Sequence, residues 1–136
     1  MIDAIAIVAV AFVFGGITFF SFVIAPLAFA ELGVETAGRL VRRVFPRYYL
    51  VTAAASAAAA LALAAGQILS AAAMALVCLG SVVARQGLMP AINASRDRAS
   101  AGDPLAGRRF DRLHRVSVII NGVQLLITLA VLVRLA

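Results

Sequence analysis

Lysine and tryptophan are absent, cysteine and histidine occur once each, and only 13% of the residues are charged. Each shortage removes a class of protein. Cys78, alone in the middle of an apolar run, cannot build a disulfide framework or a cysteine-rich metal site, and as a free thiol it reads as packing filler. His114 is the one imidazole, and no carboxylate falls inside the apolar runs, so no metal centre is expected. Aromatic and basic residues are not interleaved as they are on single-strand-binding surfaces, so the net charge of +6 does not point to nucleic acid. All twelve basic residues are arginine, and most are bunched in two short stretches, a pattern that the positive-inside rule explains.

Apolar residues are what the chain has in excess. They make up 64% of its 136 residues, against roughly 45–50% in a soluble domain, and the mean hydropathy is +1.06. The length allows one domain. The expected fold class is all-α: an integral membrane four-helix bundle with spans at about 4–30, 48–65, 68–92 and 113–135, since a bilayer core takes ~20 apolar residues. Residues 31–45 and 93–112 read as loops, and their arginines place both on the cytoplasmic side of what reads as a bacterial inner membrane, with both termini on the other side. Asp3, and the lack of any basic residue before the first run, argue for a retained helix rather than a cleaved signal.

Local features refine this plan. Gly15-Gly16 offers a notch for helix contact, and Gly80, Ala84 and Gly87 continue a small face on the third span. Pro26 frees the carbonyl of Phe22, Pro46 suits the first turn of the second span, and Arg47, Tyr48 and Tyr49 read as an interfacial anchor. Gly66-Gln67 makes a tight hairpin between the second and third spans. Pro26, Arg42-Arg43, Phe45 and Tyr48-Tyr49 are weakly echoed by Pro90, Arg108-Arg109, Phe110 and Leu113-His114, which would make the fold two parallel-duplicated helical hairpins.

The residues that could carry chemistry fall on two helices. Arg85, Met89, Asn93 and Arg96 recur at helical spacing, followed by Asp97; His114, Ser117, Asn121 and Gln124 share one face of the last span. Arg85 and Asn121 each lie roughly 10–12 Å inside the cytoplasmic boundary at 1.5 Å per residue, so they could meet. An arginine at that depth costs at least ~2.5 kcal/mol unpaired. It should face the bundle, with Asn121, the Phe22 carbonyl, Tyr49 or Glu31 as partners, unless it snorkels to the headgroups. Ser117 and Gln124 taken singly read as interhelical glue. Together Arg85, Asn93, Arg96, Asp97, His114, Ser117 and Asn121 form a candidate ligand site whose arginines favour an anion. His114 with Asp97 could form an acid–base pair, which makes His114 the candidate catalytic residue. No cofactor is assigned; a haem on His114 stays open, although nothing nearby supplies a second axial ligand.

These blocks resemble a known family. Phe45-Pro46-x-Tyr48-Tyr49, Arg85-x4-Pro90-x2-Asn93-x2-Arg96-Asp97 and Phe110-x2-Leu113-His114-x2-Ser117-x3-Asn121 are similar to the pattern of the transmembrane-protein-205-like domain family, over nearly the whole chain. The resemblance implies a small four-helix membrane domain of largely unassigned biochemistry, with eukaryotic members linked to drug tolerance and trafficking. A fainter likeness, in layout only, is to four-helix anthrone-oxygenase-like proteins. Three readings are therefore carried forward. The first is a membrane protein that binds or helps move a small anionic or amphipathic molecule. The second is a membrane enzyme acting on a hydrophobic substrate. The third is an assembly subunit of a homo-oligomer or larger membrane complex.

Overall fold

Alanine and leucine, the strongest apolar helix formers, dominate the sequence, and the computed structural model, which describes residues 2–136, is helical nearly throughout. Helix α1 (Ile2–Phe19) passes through one π-helical turn, Phe20–Ile24, into α2 (Ala25–Leu63). After a short turn, α3 (Ile68–Val83) passes through a second π turn, Ala84–Leu88, into α4 (Met89–Ser100), and α5 (Pro104–Leu135) closes the chain. Among the described residues there is no strand. Three helical stretches are long and apolar enough to cross a membrane: Ala4–Leu63, Ile68–Ser100 and Pro104–Leu135.

The expected loops at 31–45 and 93–112 are almost entirely helical. Arginine and glutamate are good helix formers, so the charge clusters mark where the apolar stretches stop, not where the helices do. Inside α2 the helical conformation is lost at one residue, Gly33, with φ 72° and ψ 164°, a combination that is essentially glycine-only. Pro46, expected in a first turn, lies in the interior of α2. The second break is Ala101–Asp103. Gly102 takes φ 98° to end α4, and the Asp103 carboxylate caps α5 by accepting from the backbone N–H of Leu105 at 3.0 Å and of Ala106 at 3.3 Å.

Each π turn stands just before a proline, Pro26 or Pro90. A proline ring crowds the carbonyl four residues earlier and cannot donate to it, and a wider turn relieves both problems. The two turns sit in the same register to their prolines, which is the clearest correspondence between the halves of the chain.

At one end of the molecule Ala6, Val10, Val13 and Ile17 pack with Ala59, Leu63, Ala71, Met74, Val77 and Val131. α1 therefore lies alongside the C-terminal arm of α2, and the chain reverses near Gly33. A second cluster, Tyr49, Ala84, Met89 and Ile92 with Phe45, Phe110 and Leu113 against it, fills the other end. The interior also holds Ser56, Ser70, Ser81, Ser117, Gln124 and Thr128, while Phe12, Leu61, Ile68, Leu126 and Val133 are exposed. Small polar groups inside and large apolar ones outside are the arrangement suited to a lipid solvent. The chain is a membrane protein. A side chain added at Gly15 or Gly16 would meet open space, so the expected notch is not filled from within this chain. On the small face of α3, a Cβ at Gly80 would come 3.2 Å from the Gln124 amide nitrogen, whereas one at Gly87 would meet nothing.

Candidate functional site

A cleft of about 430 Å³ opens where the first π turn, α2, α4 and α5 come together. Its walls are mainly apolar: Ile17, Phe20, Phe22, Pro26 and Phe29 from the first part of the chain, Val41 and Phe45 from α2, Met89 and Ile92 from α4, and Val118 and Leu125 from α5. Five of the seven candidate residues also line it, namely Asn93, Arg96, His114, Ser117 and Asn121. Arg42 and Gly38, from the stretch that reads as a loop in the sequence, line it as well.

Arg85 and Asp97 stand elsewhere. Arg85 is half-buried and donates from Nε to the carbonyl oxygen of Pro46 at 3.0 Å, tying the second π turn to α2. It faces the protein as expected, but its partner is a backbone carbonyl rather than Asn121, and it does not line the cleft. Asp97 accepts from Arg42 at both oxygens, Nη1 to Oδ1 at 2.7 Å and Nη2 to Oδ2 at 2.9 Å. The carboxylate is committed to this forked pair, so the expected acid–base pair with His114 does not form. The Arg42 hydrogen bond holds the Asp97 carboxyl below its ordinary value, partly opposed by desolvation and aided by the Arg42 and Arg96 charges.

Asn121 is the hub of the buried polar groups. The Tyr48 hydroxyl donates to Asn121 Oδ1 at 2.9 Å, and Asn121 Nδ2 donates to the Tyr49 hydroxyl at 3.0 Å and to the Ser117 carbonyl at 3.1 Å. The tyrosines are not surface anchors: Tyr49 is fully buried, and both pack in an aromatic cluster with Phe20 and Phe45 at centroid separations of 4.8–5.8 Å. One turn further along α5, Gln124 Nε2 donates to the Val77 carbonyl at 3.0 Å and to Ser81 Oγ at 2.9 Å, joining α5 to α3. Its Oε1 and Ser56 Oγ are buried with no hydrogen-bond partner among the described residues.

Arg96 sets the electrostatics of the cleft. Its guanidinium lies 6.0 Å from the centroid of Phe110, within cation–π range, and passes directly over Gly38, where any side chain would collide with it. Among the described residues it has no hydrogen-bonded or ion-paired acceptor. His114 is exposed and stacks on the same Phe110 ring, with centroids 5.9 Å apart and planes 7° from parallel. At the basic end of the cleft, then, one arginine is neutralised by Asp97 and one is not. Arg42 could have been found from sequence, because Arg42, Phe45, Tyr49 and Thr52 recur at helical spacing; assigning 31–45 to a loop hid that face.

The family model described as a domain of unknown function, DUF4149, matches residues 8–101. The match takes in α1 to α4 and stops before α5, so Gly38, Arg42, Asn93 and Arg96 fall inside it while His114, Ser117 and Asn121 lie beyond. No curated protein matches the chain, and no solved structure does.

Proposed function

The chain belongs to the DUF4149 family, and from that premise we propose that it is a four-crossing membrane protein whose cleft binds, or helps move, a small anionic or amphipathic molecule. One observation carries the reading. Arg96 lies at the end of an apolar cleft, against Phe110 and Gly38, with no acceptor among the described residues. A guanidinium with no hydrogen-bonded acceptor keeps its donors free, and an anionic ligand would take them through a forked pair of hydrogen bonds. The arginine-rich end would face the cytoplasm of a bacterial inner membrane, with both termini opposite. The likeness to the transmembrane-protein-205-like domain family fits this plan and supplies no reaction.

The direct test is mass spectrometry of the purified protein with whatever anions and lipids accompany it. Wild-type protein is expected to retain an anionic species that Arg96→Gln loses. Equal recovery from both proteins would remove Arg96 from the site. A second reading, an enzyme acting on a hydrophobic substrate, is favoured by the position of His114 beside Arg96 on the cleft wall. It requires His114→Ala to abolish turnover of the recovered compound. The Asp97 carboxylate, bound to Arg42, is not available to orient that imidazole.

A further inference from the structure

The cleft has two kinds of opening. Toward its basic end the residues that both line it and remain exposed are Arg42 and His114; along its flank they are Phe22, Pro26, Phe29, Val118 and Gly122. The flank is a gap between the segment that follows α1 and the middle of α5, and both of its lips are apolar. Phe22 is 66% exposed on one side and Val118 is 57% exposed on the other. Large apolar side chains bordering a cleft on its outer side face lipid in a membrane protein, so the flank opens to the bilayer and the basic end to the headgroup region. A ligand arriving as a free aqueous anion would have no use for the flank.

We propose that the occupant is a single-chain amphiphile with a phosphate or carboxylate head, which enters sideways from the bilayer between Pro26 and Val118 and places its head on Arg96. This rests on the anion-binding reading above and names its ligand class. Size limits the chain number: at ~30 Å³ for each water-sized group, a cleft of about 430 Å³ takes roughly fourteen such groups, one chain of moderate length with a small head. Gly38 is the positioning residue for the head. Because it presents no side chain, the Arg96 guanidinium can pass over α2 and stand above the Phe110 ring. A methyl group there would meet the far end of a flexible side chain, which would swing away from the cleft while the backbone stays in place.

The chain carries its own reporter. It has two tyrosines and no tryptophan; Tyr48 packs on Phe20 and Phe45, and Tyr49 on Phe45, and both phenylalanines line the cleft. The experiment measures tyrosine quenching in the full-length protein in phosphatidylcholine nanodiscs. The probes are an alkyl phosphate brominated along its chain and a neutral alkyl glucoside brominated in the same way. Saturable quenching by the phosphate is expected at a set mole fraction of probe in the disc, with an affinity on that scale nearly independent of chain length, because the chain moves from lipid into a cleft about as apolar as lipid. Arg96→Gln and Gly38→Ala should each weaken the phosphate probe about tenfold and leave the glucoside unchanged. Val118→Phe, which fills the flank at an exposed position, should weaken both probes while helicity is retained.

Inorganic phosphate should displace the probe only at a concentration at least a hundredfold higher than the unbrominated alkyl phosphate. If it competes equally well, the site takes aqueous anions; sideways entry is then wrong and the anion-binding reading survives. If Arg96→Gln weakens both probes alike, the head is not read by Arg96. If quenching never saturates and no variant alters it, the cleft holds no ligand, and the proposed function falls with it.

Discussion

Asn121 satisfies three groups with one amide, and two of them are tyrosine hydroxyls, one from the fully buried Tyr49 and one from the half-buried Tyr48. Asn121→Leu should therefore destabilise the protein by about 1–2 kcal/mol, between the ~0.6 kcal/mol average for a membrane hydrogen bond and the ~1–3 kcal/mol of a buried group left unpaired. Reversible unfolding in mixed micelles would measure it, with Tyr48→Phe, which breaks one bond, costing less. Arg85 separates stability from binding in a different way. Its contact is the Pro46 carbonyl, so Arg85→Gln should lower stability in the same assay yet leave tyrosine quenching by the brominated phosphate unchanged. A shift in that affinity would return Arg85 to the site. The sequence made plain that Arg85 needed a partner, because charge in an apolar run is expensive. It could not name the partner, because a backbone carbonyl has no residue-type signature and Pro46 had been read as a helix start. Arg96, by contrast, was readable by spacing alone; what could not be read was Gly38 beneath it, since one small residue in a supposed loop signals nothing.

Between elements, the conformations at Gly33 and at the two π turns decide where the rods bend. Gly33, at φ 72° and ψ 164°, occupies a region closed to residues with a Cβ, so Gly33→Ala should cost about 1–3 kcal/mol. Gly15→Ala and Gly16→Ala, in helical positions with open space around them, should be neutral or stabilise by up to ~1 kcal/mol. Thermal unfolding of the three variants side by side is the check, and equal effects would deny Gly33 its special role. The Arg42–Asp97 pair links α2 to α4 through exposed side chains, 44% and 58% accessible, so screening should make Asp97→Asn nearly neutral and remove its effect at high salt. Because the Asp97 carboxyl is held below its ordinary value, whatever the pair contributes is present at neutral pH and lost as the pH falls through that depressed value. Helix ends were the least legible feature of the sequence. Hydropathy reports where apolar surface ends, and here amphipathic helices continue well past that point, carrying arginines on a face that hydropathy treats as loop.

For the whole molecule, inside–outside polarity follows from composition: a chain with 64% apolar residues has nowhere to put them except outward, into lipid. The number of crossings needs a measurement. The stretch Ala4–Leu63 is 60 residues of helix, three times the ~20 that a bilayer core requires, and the packing of Val10 and Val13 with Ala59 and Leu63 brings its two ends together. Both facts require a return near Gly33. The reversals at 33 and at 101–103 would then lie on one side of the membrane, with all of the eleven arginines from residue 39 to residue 115 except Arg85 flanking them, and the turn at 64–67 on the other. Single cysteines in a Cys78→Ser background test this in sealed vesicles of known orientation. Val34→Cys, at a position 73% exposed, and Gly102→Cys should react with an impermeant maleimide from the cytoplasmic face, and Gly66→Cys from the opposite face only. If Val34→Cys and Gly102→Cys label from different faces, the chain does not cross four times. The cleft would then have no headgroup-facing basic end, and the site would lose the geometry that gives Arg96 its anion.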